Sequence, residues 1–254
     1  MRIIISPAKK MNMDTDSFPF RNLPQFLPQA EHIYEHLKQM DYGALKALWN
    51  CNNSIARLNA ERLSTLNLRQ NLTPAILAYE GIQYRYMAPH IFTSSELEYI
   101  EAHLRILSGL YGLLRPFDGV IPYRLEMQAK LQIGDAKDLY SYWGSLLACR
   151  LLEETDCIVN LASKEYSVCI SRHLTRNVRL LTCVFGERRN GRIVEKGTLC
   201  KMARGEMVRY LAERQSGRPE EIKAFDRLNY RFASEESSRD TYVFIREGEG
   251  LEHE

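Results

Sequence analysis

The stretch Leu104–Glu126, LRILSGLYGLLRPFDGVIPYRLE, decides how the chain is read, because it holds more specialised residues than any other span of its length. Leading into it, Leu97, Ile100, Leu104 and Leu107 recur at steps of three and four, the period of a helix that buries one stripe. Ser95 and Glu98 have the spacing of a capping box at its start. Gly109 and Gly112 then bracket Leu110 and Tyr111. The pattern predicts a helix running into a tight turn, where the backbone takes positive φ and approaches another molecule. Arg105, Arg115 and Arg124 flank that turn, and turn amides beside guanidiniums suit a phosphate. The same glycines, with Pro116 beyond them, also read as ordinary helix-stop punctuation. Pro116 leaves Leu113 and Leu114 room for only a short second helix.

Working outward, RIIIS at 2–6 reads as a short buried strand that delivers Ser6, Pro7, Ala8, Lys9 and Lys10 at its C-terminal end, where α/β sheets open into crevices. CIVNLA at 157–162 repeats the design and delivers Ser163, Lys164, Glu165 and Tyr166, so the two ends are expected to converge on one cleft. Between them, apolar spacing predicts helices near 29–39, 42–49 and 53–63, with 77–86 divided between strand and turn. Tyr142, Leu146, Cys149 and Leu152 predict one buried helical face. LLTCVFGER and RIVEKGTL flank Asn190-Gly191, the signature of a hairpin. A helix follows over 201–213, with Lys201 and Arg204 on one face. Further on come a short helix near 220–224 and a last strand at 241–246, placed at an edge. The closing LEHE at 251–254 carries no assignment.

Composition sets the limits. With 45% apolar and 26% charged residues in 254, the chain reads as one globular domain spanning 1–254, without linker or repeat. It lacks an apolar run of membrane-spanning length, and MRIIISPAKK is too short in its apolar part for a signal peptide, so a cytoplasmic location and no membrane partner are expected. The six cysteines form no CxxC pair or zinc-type cluster and read as reduced, mostly core thiols. His32 and His36 stand at a metal-compatible spacing without a third ligand, so no metal and no cofactor is expected. A formal charge of +2 does not announce nucleic acid; what matters is whether folding gathers the scattered cations.

Five stretches together resemble one family: ISPAK at 5–9, LRILSGLYGLLRP at 104–116, PYRLEM at 122–127, NLAS followed by EY at 160–166, and ARG at 203–205. The chain resembles the YaaA family of bacterial peroxide-stress proteins nearly end to end. The resemblance implies an α/β domain with a mixed central sheet flanked by helices, a positively charged cleft, a helix-hairpin-helix-like element and DNA binding that limits damage when peroxide meets iron. Its motifs fall on Ser6–Lys9, Arg105, Gly109, Gly112, Arg115, Tyr123, Arg124, Glu126, Asn160, Ser163, Glu165, Tyr166, Lys201, Arg204 and Gly205. The chain departs from the family where Lys10 and Met11 follow ISPAK, and at Gly81-Ile82-Gln83-Tyr84, where the family carries a carboxylate.

Two functions follow as expectations. The first is binding to double-stranded or structured DNA with little sequence preference, through Lys9, Lys10, Arg105, Gly109, Gly112, Arg115, Arg124, Lys201 and Arg204. The second is an enzyme acting on a nucleotide, nucleobase or damaged-DNA substrate, for which Ser6, Glu126 and Glu165 are the catalytic candidates and a small nucleotide-like ligand is the partner.

Overall fold

Ile3, Ile4 and Ile5 are 0% exposed, so strand β1 (Arg2–Ile5) is covered on both faces, as an apolar run in the middle of a parallel sheet must be. The computed structural model describes residues 1–247; the closing LEHE lies outside the described residues. After β1 comes the two-residue β2 (Lys10–Met11), then helices α1 (Leu27–Lys38), α2 (Tyr42–Trp49) and α3 (Asn53–Thr65). Asp41 and Asn52 cap α2 and α3, their side chains accepting from the Ala44 and Ile55 amides, which are otherwise unpaired at a helix start. The ambiguous span resolves into β3 (Thr73–Pro74), α4 (Ala75–Ala78), β4 (Tyr79–Glu80) and α5 (Ile82–Met87). Helix α6 (Ser94–His103) leads into β5 (Leu104–Ser108), β6 (Gly112–Leu114) and β7 (Gly119–Val120). Next are α7 (Leu139–Trp143), α8 (Leu146–Leu152), β8 (Cys157–Leu161) and α9 (Lys164–Ser171). The last elements are β9 (Arg179–Arg189), β10 (Arg192–Val194), α10 (Gly197–Glu213), β11 (Tyr230–Phe232) and β12 (Thr241–Arg246).

The central sheet runs β11-β12-β9-β8-β1-β5-β6, with β10 folded back on β9. Strands β12, β9, β8, β1 and β5 are parallel to their neighbours, while β6, β10 and β11 pair antiparallel at the margins. The chain is therefore α/β with a mixed central sheet, as expected. Ile5 is in register with Ile106 of β5 and with Leu161 of β8. From β1 the chain first builds to one side, at β5 and β6, and later to the other, at β8, β9 and β12. The order reverses at β1, and at such a reversal the crevice opens beyond the carboxyl ends of the strands. Among the described residues, no helix is long and apolar enough to cross a membrane.

Several expectations are corrected. The helix entering the central stretch stops at His103, and its capping box is Thr93 with Glu96 rather than Ser95 with Glu98. Leu104–Ser108 leaves helical geometry because all five residues are buried in the sheet, Leu104–Ile106 paired with β1 and Ile106–Ser108 with β6. The glycine corner is thus the bend between β5 and β6, and no helix-hairpin-helix is built there. Gly112 has φ +72°, and a Cβ on it would meet the Trp143 ring at 2.9 Å. The corner faces the core: Tyr111 donates its amide to Ser108 Oγ at 2.8 Å, and Trp143 Nε1 donates to the Gly109 carbonyl at 3.1 Å. The helix after Leu139 breaks at Gly144, which turns Leu147, Ala148 and Leu151 inward and leaves Leu146 exposed. Strand β12 lies inside the sheet, covered by β11, rather than at its edge.

Candidate functional site

Two strand ends meet as expected. Beyond β1 and β8, the Ser163 amide donates to Ser6 Oγ at 2.8 Å, and the two serine hydroxyls stand 3.2 Å apart. Parallel pairing of β1 with β8 makes this contact possible, since it brings both C-terminal ends to the same margin of the sheet. Tyr84 of α5 donates its hydroxyl to the Ser6 carbonyl at 3.0 Å, which fixes the other wall. Between these walls lies a cleft of about 400 Å³. Its lining includes Ser6, Lys9, Lys10, Tyr123, Arg124, Glu126, Ser163, Glu165, Lys201 and Arg204, which come from positions nearly 200 residues apart in the chain.

Charge in the cleft is organised around Glu126. Lys9 Nζ reaches its Oε2 at 2.7 Å, and Arg124 Nη2 donates to Oε1 at 3.0 Å, so one carboxylate joins two cations. Lys10 pairs with Glu80 at 2.7 Å, an exposed contact worth little in water. Glu165 accepts from the Gln128 amide at 3.3 Å; burial pushes its carboxyl above the usual range, and the nearby Glu126 charge adds to that. Glu165 therefore holds a proton more readily than an exposed glutamate. Beneath these groups Tyr79, Tyr123 and Ser108 form a hydroxyl chain with steps of 2.9 and 2.6 Å. Burial raises both tyrosine hydroxyls, Tyr123 to about 12, so at neutral pH they act as hydrogen-bonding groups and not as bases.

A family described as "peroxide stress protein YaaA" matches residues 1–236. The chain belongs to that family. It is 54% identical over 246 residues to a UPF0246 protein of Lachnoclostridium phytofermentans, covering 97% of this chain and 96% of the relative. A UPF0246 protein of Desulfitobacterium hafniense is 52% identical over 97% of this chain and 98% of its own. One of Agathobacter rectalis is 51% identical over 97% and 99%.

Of the residues that this YaaA-family sequence nominates, Ser6, Lys9, Lys10, Arg124, Glu126, Glu165, Lys201 and Arg204 come together in the cleft. Arg105, Gly109, Gly112 and Arg115 do not line it. Arg105 is 5% exposed and pairs with Glu154 at 2.7 Å, where Arg2 also binds; burial pulls its pKa down despite that partner. Arg115 Nε donates to the fully buried Asp118 at 3.0 Å and holds the turn between β6 and β7. Both arginines are occupied in folding, so neither is presented to a ligand in the cleft. Sequence reasoning missed Gln83 and Tyr84 as lining residues; the signal at hand was the departure from the family pattern at Ile82-Gln83. Among the described residues no group of three or more His, Cys, Asp or Glu side chains is arranged to hold a metal ion.

Proposed function

We propose that this peroxide-stress family member binds DNA with little sequence preference at the cleft beyond β1 and β8. The observation that carries the reading is the gathering of Lys9, Lys10, Arg124, Lys201 and Arg204 around one opening, against three carboxylates, Glu80, Glu126 and Glu165. Cations set along a groove neutralise phosphates and release counterions, which gives affinity without base reading. A cleft of about 400 Å³ is too small for a duplex, so duplex or structured DNA rests on the rim. The helix-hairpin-helix-like contact that the resemblance implies falls in this reading to α2 and α3. Helix α2 is tied to the cleft by Arg124, whose Nε donates to the carbonyl of Trp49, the last residue of that helix, at 3.3 Å. Titration of a labelled duplex with the full chain at two salt concentrations tests the reading. Steep weakening with salt is expected, and a response indifferent to salt counts against it.

A second reading, catalysis on a nucleotide, nucleobase or damaged-DNA substrate, is favoured by one observation: a protonation-prone Glu165 lies in the same cleft as Glu126, which pairs with both Lys9 and Arg124. Two carboxyl groups in unlike surroundings can divide acid and base roles. Ser6 accepts from the Ser163 amide but receives no general base among the described residues, which makes it a positioning hydroxyl in this scheme. Chromatography of mononucleotides and damaged oligonucleotides after incubation with the chain decides the matter. Turnover that vanishes in Glu165→Gln while binding persists supports catalysis; absence of turnover in the parent ends it.

A further inference from the structure

Two residues that line the cleft each carry a nitrogen donor with no acceptor among the described residues. Gln83 is 7% exposed, and its Nε2 has no hydrogen-bond partner among the described residues. Arg204 Nε is buried and unpartnered in the same way, and both residues line the cleft. Helix α10, which carries Arg204, lies directly on α5, which carries Gln83. A Cβ at position 205 would stand 2.1 Å from the Gln83 carbonyl oxygen, so only glycine beside Arg204 permits this approach. A buried donor left without a partner keeps the cost of losing water with nothing to offset it. An acceptor brought from outside the chain removes that cost at both nitrogens.

The chemistry of that acceptor follows from its surroundings. Arg204 approaches Glu195 through Nη2, at 3.8 Å, and that contact leaves its Nε without a partner. A guanidinium N–H and a neutral amide N–H together suit an oxyanion. Lys201, one helical turn from Arg204 and also lining the cleft, is exposed and has no ion-pair partner among the described residues. That additional positive charge favours a phosphate over a singly charged carboxylate. The volume of about 400 Å³ suits a ligand of nucleotide size.

We infer that the α5–α10 seam is a phosphate site for a nucleotide-sized ligand, with Gln83 Nε2 and Arg204 Nε donating to phosphate oxygens and Lys201 balancing the remaining charge. The inference rests on the cleft being an anion-binding site. A free nucleoside monophosphate and the terminal phosphate of a DNA strand share the required chemistry.

Calorimetric titration of the full chain with dAMP and with deoxyadenosine, beside labelled duplexes with and without a 5′-phosphate, separates these cases. Phosphate recognition predicts that dAMP, the 5′-phosphorylated duplex, or both bind about tenfold more tightly than their counterparts lacking the phosphate. A preference confined to dAMP identifies the free nucleotide as the source, and one confined to the duplex identifies the strand end. Gln83→Met, similar in size and without donors, removes the preference. The inference is overturned if neither phosphate is preferred by the parent, a comparison that needs no variant, or if a correctly folded Gln83→Met protein keeps the preference. Loss of duplex binding in every form would strike the DNA reading alone, provided that dAMP still binds through its phosphate.

Discussion

Asp118 is a carboxyl group that folding encloses in the core. It is fully buried, accepts from the Arg115 amide and Nε, and burial nevertheless pushes its carboxyl up to about 6. An unfolded chain releases that proton near pH 4, so between about 4 and 6 the folded state carries more protons. Stability therefore falls as pH rises through that window, by up to about 3 kcal/mol from this group. Asp118→Asn is expected to flatten the change of urea midpoint between pH 4 and 6 relative to the parent, whatever it does to absolute stability; an unaltered slope would show that Asp118 titrates normally. Gly112 makes a second claim at this scale. Its positive φ and the nearby Trp143 ring predict that Gly112→Ala loses about 2–4 kcal/mol, read as a lowered urea midpoint. The buried thiols of Cys183 and Cys200, pushed up to about 12 and about 11 by burial, are poor nucleophiles towards peroxide.

At the scale of elements, the parts legible in the sequence are those whose signal is local. The run Ile3–Ile5, the strand at 157–161 and the Asn190-Gly191 bend, with φ of 49° and 73°, announce themselves through burial pattern and turn chemistry. The central stretch misleads because Leu104 and Leu107 continue the helical spacing of Leu97 and Ile100 into an almost wholly apolar run. Periodicity alone cannot divide helix from buried strand there. Sheet pairing with β1, which starts 102 residues earlier, decides it. The cap offers a direct test. Thr93→Ala is expected to cost about 1 kcal/mol by removing the side chain that accepts from Glu96, whereas Ser95→Ala stays within about 0.5 kcal/mol. Equal effects of the two changes would reject the observed helix start.

At the scale of the whole molecule, the candidate site is a product of topology. Lys9 and Lys10 follow β1, Arg124 and Glu126 follow β7, Ser163 and Glu165 stand at the start of α9, and Lys201 and Arg204 lie on α10. Strand ends with polar tails make Lys9, Lys10, Ser163 and Glu165 recognisable in the sequence, while Arg124 is marked by the glycine turn, Lys201 and Arg204 by a helix face and Glu126 by the family resemblance. The sequence could not tell that Arg105 and Arg115 are consumed by Glu154 and Asp118, since the first of those partners lies 49 residues away. Arginines and lysines that look alike in the sequence thus fall into two sets, one facing the cleft and one holding the fold. The most direct measurement is the salt dependence of binding to a labelled duplex for Lys201→Met and Arg115→Met beside the parent. If the cleft carries the binding, Lys201→Met weakens it and makes the slope of log K against log salt shallower by about 1, while a folded Arg115→Met protein follows the parent. An unchanged slope for Lys201→Met together with a reduced one for Arg115→Met would contradict the account and return the function to the glycine corner.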